Sequence, residues 1–510
     1  MPIRRQVTHA ALLVVTASLL IPRLQAQVLP LTVPKGKLRI DISGRFDNYD
    51  ERIHAGTREN ALADYERNPF DGSVWPTLGE IEQRLKRIMN VTDVSLSLGR
   101  SSATELVNIG TAGIGGAYGL TKFLTIWGNV PIVRARVQPR FSIDTTGASA
   151  GRNRGVGANV IGEVATALSA LRDSITAGKY DSDPNLKAQA QATLGRLNDL
   201  NALFNGPSSA LFLPRGGTSL GAAFTGAVTR IQTDLQGLGV NGFQSLPTLP
   251  TDAFITDSLV NLITDPTGRI AGLPLFPPIV SYIGDIEVGA NLLLVDKFPN
   301  TSFGKGMRAY LATTVRLRTA QLPNPARFFG LGTGDRQPDA EANLVVDLAA
   351  GHLGARLQGG YNYQLPGNQN RRIAAPTELF PAADQLAAVR RDPGNVIKVS
   401  AEPFYRLVPS FAFFGGAGYE RKGLDTYTYA AGQVPIAGAD VNALAIDSNY
   451  WAIRLTAGLT YAHTGIDKRG VQHLPLDATL RYERIMGARG GTIPATTSVV
   501  VELRLYRNLF

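Results

Sequence analysis

The chain has 510 residues, a formal net charge of +10, 44% hydrophobic and 18% charged residues, 54 glycines and no cysteine. The apolar fraction is too high for a disordered chain, and glycine stands above the ~7% of ordinary proteins. Without cysteine there is no disulfide framework, zinc–cysteine site, iron–sulfur cluster or thiol nucleophile. The histidines are His9, His54, His352, His463 and His473, which argues against a histidine-rich metal enzyme.

Residues 1–26 read as an export signal. Arg4 and Arg5 form a positive start, Ala10–Ile21 is apolar, and Leu24-Gln25-Ala26 ends on a small residue. The apolar run falls short of the ~20 residues of a spanning helix. Cleavage would leave a mature chain starting at Gln27. No cysteine follows the site, so lipoprotein anchoring is excluded.

Beyond the signal the chain organises into first barrel strands (27–137), an insertion (138–281) and the remaining strands (282–510). A first strand is expected near Leu38–Phe46. Pro76–Asn90 places Leu78, Ile81, Leu85 and Ile88 at helical spacing, a short amphipathic helix in a loop. Strands follow near Val94–Tyr118 and Phe123–Val137. The first of these is long enough to hold a bulge or break near Ser101–Ala103. Within Gln138–Ser281, helices are predicted over Val160–Ala177, Asn185–Phe204 and Ser219–Leu235, separated by the Gly/Pro-rich Pro207–Gly217 and Gly239–Pro250.

The C-terminal part alternates strictly. Ile286, Val288, Ala290, Leu292 and Leu294 share one face and oppose Asp285, Glu287 and Asn291. Leu344, Val346 and Leu348 oppose Glu341, Asn343 and Asp347. The pattern recurs near Gly284–Val295, Met307–Arg318, Ala340–Ala350, Ala355–Leu365, Val396–Val408, Phe411–Lys422, Tyr450–Ala462, Leu474–Ile485 and Ser498–Tyr506. Period two means strands with one apolar and one polar face. A soluble sandwich gives the same alternation. A transmembrane barrel is favoured because the strands match tilted membrane strands of ~9–11 residues plus their ends. Aromatics also sit near segment ends, and short and long connections alternate. Twelve antiparallel strands are expected, within a range of ten to fourteen. Both termini then lie on the periplasmic side and the insertion lies outside. Phe510 falls on the opposite parity from Val499, Val501, Leu503 and Leu505.

Gly119-Leu120-Thr121, Val130-Pro131-Ile132-Val133, Gly284-Asp285-Ile286-Glu287-Val288-Gly289 and Leu331-Gly332-Thr333-Gly334-Asp335 occur in that order. The order resembles the phenol-degradation meta-pathway family of outer-membrane barrels, related in architecture to the long-chain fatty-acid transporter type. The resemblance spans about three-fifths of the chain and omits the insertion. It implies an outer-membrane barrel passing hydrophobic or aromatic small molecules.

On the polar faces the candidate lumen and selectivity residues are Arg308, Arg316, Arg318, Arg356, Arg406, Arg454, Arg481, Glu287, Glu341, Asp347 and Glu402. A charge facing lipid costs about 2–4 kcal/mol at the midplane, so these residues line the interior or approach an interface. They either set the selectivity of a water-filled path or pair across strands to fill a closed barrel. Gly217-Thr218-Ser219-Leu220-Gly221 matches a nucleophile elbow, but His352, His463 and His473 fall at strand ends. The blander reading is a glycine turn capping a helix. Asp181-Ser182-Asp183 lacks the rest of a calcium loop and reads as an Asx turn. Arg371-Arg372 and Arg390-Arg391 could meet lipopolysaccharide phosphates or remain solvated. No nucleic-acid motif occurs, and no cofactor is implied.

The expectation is therefore an outer-membrane channel or transporter for small molecules, capped by a helical insertion and not an enzyme. Its partners would be outer-membrane lipid and lipopolysaccharide, the solute, and the barrel-assembly machinery that inserts it. The rivals are a closed structural or adhesive barrel and an outer-membrane hydrolase using Ser219.

Overall fold

A computed structural model describes residues 29–153, 155–205, 211–298, 303–463 and 475–508. The signal segment, Phe510 and His473 lie outside these residues. Twelve antiparallel strands close on themselves. They are β1 (Lys37–Tyr49), β2 (Arg100–Gly119), β3 (Leu124–Asp144), β4 (Glu287–Lys297), β5 (Gly306–Arg316), β6 (Asp339–Ala350), β7 (Leu353–Gln364), β8 (Val396–Val408), β9 (Phe411–Lys422), β10 (Tyr450–His463), β11 (Leu476–Gly490) and β12 (Thr497–Asn508). Each pairs with its sequence neighbours, and β1 pairs with β12 to close the ring. Closure leaves no unpaired edge, which lipid requires of any sheet that spans it.

The alternation sorts as the pattern predicts. Ile40, Ile42, Ile126, Leu292, Leu344, Leu357, Val399, Leu455, Val501 and Leu503 point outward and are exposed, an apolar belt around the wall. Glu341, Asp347, Arg308, Arg406, Asp477 and Glu483 point inward and are buried. An exposed apolar belt of this kind is a lipid-facing surface. Among the described residues no helix is long and apolar enough to cross a membrane.

β2 differs from the expected segment. It begins at Arg100, and its register with β3 runs unbroken from Arg100↔Asp144 to Gly119↔Thr125, with no bulge near Ser101–Ala103. Both strands therefore project well beyond the belt.

Turns at one end, here called lower, are short: residues 120–123, 351–352 and 409–410. The described parts of both termini lie there. The long connections leave from the other, upper end. They carry α1 (Pro76–Met89), α2 (Ala158–Thr176), α3 (Pro184–Asn205), α4 (Ser219–Gly237) and α5 (Thr256–Thr264). The first four match the predicted helices within about three residues; α5 was not anticipated. Leu78, Ile81, Leu85, Leu197, Phe224 and Ile231 pack into one apolar core that also takes in Phe329 and Phe380 from later connections. Trp75 lies edge-on to Phe212 at 5.5 Å and to Phe380 at 6.2 Å. Residues 367–372, 386–392 and 426–429 form a small upper sheet that the sequence did not announce.

Candidate functional site

The inward charges are paired across strands. Asp347 on β6, wholly buried, accepts from Arg356 on β7 at 2.7 Å and from Arg308 on β5 at 3.2 Å. Higher up, Arg316 meets Glu287 at 2.9 Å, Asp339 at 2.9 Å and Glu341 at 3.1 Å, and Lys398 reaches Glu341 at 3.2 Å. Arg481 bonds Glu402 at 2.6 Å, and Arg454 approaches Glu483 at 3.6 Å. Arg406 donates to the carbonyl of Gly351 at the lower turn. Arg318 lies beyond the end of β5, exposed, donating to the Pro366 carbonyl at 2.9 Å. The geometry is that of a cross-strand ladder, in which geometry and hydrogen bonds offset the cost of enclosing charge.

A second element was invisible to period-two reasoning. Residues 29–35 precede β1 and turn back into the barrel. The Val33 amide donates to Thr125 Oγ1 at 2.8 Å, Asn291 donates to the Leu31 carbonyl at 3.1 Å, and Arg356 donates to the Leu29 carbonyl at 2.9 Å. Those partners are inward residues of β3, β4 and β7, so the segment lies across the lower lumen. Leu29 and Val33 are buried there.

The third element is a break in the wall. β3 pairs with β4 over Leu124–Asn129, and then with the short strand Val280–Ile283 over Ile132–Ala135. Between them stands Pro131, which has no N–H to give, facing Gly284, whose amide donates to the Pro131 carbonyl at 2.8 Å. The β5–β6 connection (residues 317–338) satisfies the freed groups. Thr319 Oγ1 donates to the Gly284 carbonyl at 2.6 Å and accepts from the Ile286 amide at 2.8 Å. Thr333 Oγ1 donates to the Ile283 carbonyl at 2.9 Å. The Asp285 carboxylate accepts from the amides of Thr319, Ala320 and Arg336 at 3.2, 3.0 and 3.3 Å. The glycines allow the approach. A Cβ at Gly334 would stand 2.5 Å from an Asp285 oxygen, and one at Gly332 would stand 2.2 Å from the Gln321 carbonyl. Three motifs far apart in sequence thus meet at one place.

Held in this way, the connection points Leu331 into the barrel. There it lines a cavity of about 250 Å³ with Tyr49, Ile109, Ile485 and Pro494, together with Arg45, Asp47, Arg454, Glu483, Arg484, Thr496 and Ser498. Small-molecule sites combine apolar surface with convergent polar groups, and this cavity carries both, with five charged residues among the twelve that line it. A dry cavity of about 150 Å³ already holds benzene.

Several of the remaining sequence candidates have structural employment. Thr218 caps α4, accepting from the Gly221 amide at 3.1 Å, and Ser219 is the first helical residue. His352 lies in a lower turn, at the opposite end from α4. Asp183 accepts from the Asn185 and Leu186 amides at 2.9 and 3.2 Å, an Asx-type start to α3. Arg372 is buried, donating to the Ile270 and Pro381 carbonyls at 2.6 Å, and Arg391 bonds Asp425 at 2.8 Å. Neither is free to meet lipid.

Fold and lumen together define a transmembrane β-barrel with a constricted, ion-paired interior. No family model matches the sequence, and no curated protein matches it. Among solved structures, the COG4313 outer-membrane channel from Pseudomonas putida F1 aligns over 94% of this chain and 100% of its own at 9% identity and a TM-score of 0.43. The TodX monoaromatic hydrocarbon channel, as a deltaS2S3 mutant, aligns over 94% and 91% at 11% identity and a TM-score of 0.28. A Pseudomonas aeruginosa FadL homologue aligns over 93% and 91% at 9% identity and a TM-score of 0.29. Similarity at this level is between barrels, not between functions.

Proposed function

We propose that the protein is an outer-membrane channel for small hydrophobic or aromatic molecules, entered from its upper end beneath the helical layer. The observation that carries this reading is the cavity beside Leu331, lined by both apolar and polar residues and of a size for one or two rings. The paired charges and residues 29–35 support a narrow passage rather than a wide aqueous pore. Charges tied to one another at 2.6–3.2 Å leave little free field to select ions, so the arginine-rich faces serve mainly as interior structure. The sequence resemblance implies the same solute class. The export signal and the lipid-facing belt support the location, and the helical insertion serves as the cap.

Conductance of the refolded protein in a planar bilayer, with and without residues 138–281, tests the reading. Small or absent steps in the intact protein, enlarged on deletion, are expected of a capped narrow channel. Large steps in the intact protein would contradict it. Silence from both, together with no acceleration of aromatic uptake in cells, would leave the closed structural barrel.

A further inference from the structure

We infer that the outward face of the upper part of β3 docks the phosphate groups of the phosphorylated glycolipid in the outer leaflet. β3 has 21 residues, about twice what a tilted strand needs to cross. Its outward positions read Ile126, Gly128, Val130, Ile132 and then Arg134, Arg136, Gln138, Arg140. The first group belongs to the apolar belt, with Ile126, Val130 and Ile132 exposed. The arginines are exposed too. The change of character is abrupt. At ~3.3 Å per residue and a tilt near 45°, Arg134, Arg136 and Arg140 stand about 19, 23 and 33 Å above Ile126, against an apolar belt about 25 Å tall. The arginines therefore straddle the upper margin of the belt, with Arg134 within reach of the headgroups along its own length and Arg140 above the margin.

These guanidinium groups are unlike those inside the barrel. Arg316, Arg356 and Arg481 are each held by carboxylates. The side chains of Arg134, Arg136 and Arg140 have neither hydrogen bond nor ion pair to any described residue. Their cross-strand neighbours on β2 are Gly110, Asn108 and Thr104, small or polar, so the guanidinium forks stand clear of bulk. Arginines two residues apart on one face lie ~6.6 Å from each other, and each fork can take a phosphate oxygen pair in a bidentate contact. Arg421, Arg484 and Arg489 are exposed at the upper ends of β9 and β11, extending the positive rim. Asp144, at the far tip of β3, already lies opposite Arg100 of β2. A basic rim just above an apolar belt complements a leaflet whose headgroups carry phosphate. The inference concerns the outer wall and does not depend on what passes through the lumen.

The test uses the full mature chain in detergent and three probes: bis-phosphorylated lipid A, its dephosphorylated form, and phosphatidylglycerol. Native mass spectrometry counts the retained lipid. The protein should retain bis-phosphorylated lipid A in preference to the other two. The triple variant R134Q/R136Q/R140Q should bind it about 100-fold more weakly, given the usual gain per arginine near an anionic surface. R134K/R136K/R140K should recover part of the affinity. Heat-modifiable gel mobility confirms the barrel in each variant, and the single variant Arg136→Gln, with a smaller loss, serves should the triple one misfold. Equal retention by the wild type and the glutamine variants would overturn the inference. So would indifference to the phosphates, or equal retention of phosphatidylglycerol.

Discussion

In the helical layer the fully enclosed side chains are Leu78, Leu85, Leu197, Phe224 and Ile231. In the barrel they include Asp347 and Arg406. The layer buries apolar groups away from water, as a soluble domain does. The barrel turns its apolar groups to lipid and encloses charge, so its interior is held by direction-dependent contacts. The same kinds of residue therefore carry different weights in the two regions. In the layer volume matters; in the barrel the pairing of each charge matters.

Substitutions sharpen that contrast. Phe224→Ala should cost the helical layer about 4 kcal/mol through the cavity it leaves. Limited proteolysis should then open the insertion while the barrel keeps its heat-resistant gel mobility. Asp347→Ala should cost the barrel about 3 kcal/mol, because Arg308 and Arg356 lose the buried carboxylate between them. The temperature at which the folded band converts should fall, with the insertion's protease resistance unchanged. On the lipid face Leu344→Arg should cost about 2–3 kcal/mol. Leu344→Ala should cost under about 1 kcal/mol, because lipid tails refill the space. A large loss for Leu344→Ala would mean that the outer face is packed rather than lipid-solvated.

The smallest effect depends on pH. Burial opposes the charge of Asp425, but Arg391 and Lys422 outweigh it and hold the carboxyl below its ordinary range. A depressed folded pKa gives stability that is present above the unfolded value near 4 and lost as pH falls through the folded one. Protease sensitivity of residues 423–449 should rise below about pH 4. Asp425→Asn should show the sensitivity at neutral pH and little further change.

Much of the barrel was legible because period two is local: Leu344 and Asp347 declare their faces from sequence alone. Helices α1 to α4 were legible for the same reason, through spacings such as Leu78, Ile81 and Leu85. The constriction was not. Gly332 and Gly334 carry no period. Their reason is the approach of residues 317–338 to Asp285, a contact made across the wall. Residues 29–35 were equally silent, since a segment held through its carbonyls by Asn291 and Arg356 needs no particular side chains of its own. The ion-pair ladder could be read as composition but not as pairing, because partners such as Arg481 on β11 and Glu402 on β8 have two strands between them and reach each other only across the curved interior. The arginines at 371–372 and 390–391 showed the converse: they looked available, and Arg372 and Arg391 proved to be engaged internally.

The most direct test of the channel is uptake of a radiolabelled monocyclic aromatic by Gram-negative cells carrying the protein. Wild type would be compared with Leu331→Trp at equal surface amount. Tryptophan in place of Leu331 would fill the cavity while leaving in place Thr319, Thr333 and Asp285, whose hydrogen bonds hold the wall break. Wild type should speed uptake of the aromatic, and Leu331→Trp should abolish most of the gain. Equal uptake by the two, or no gain over cells lacking the protein, would contradict it.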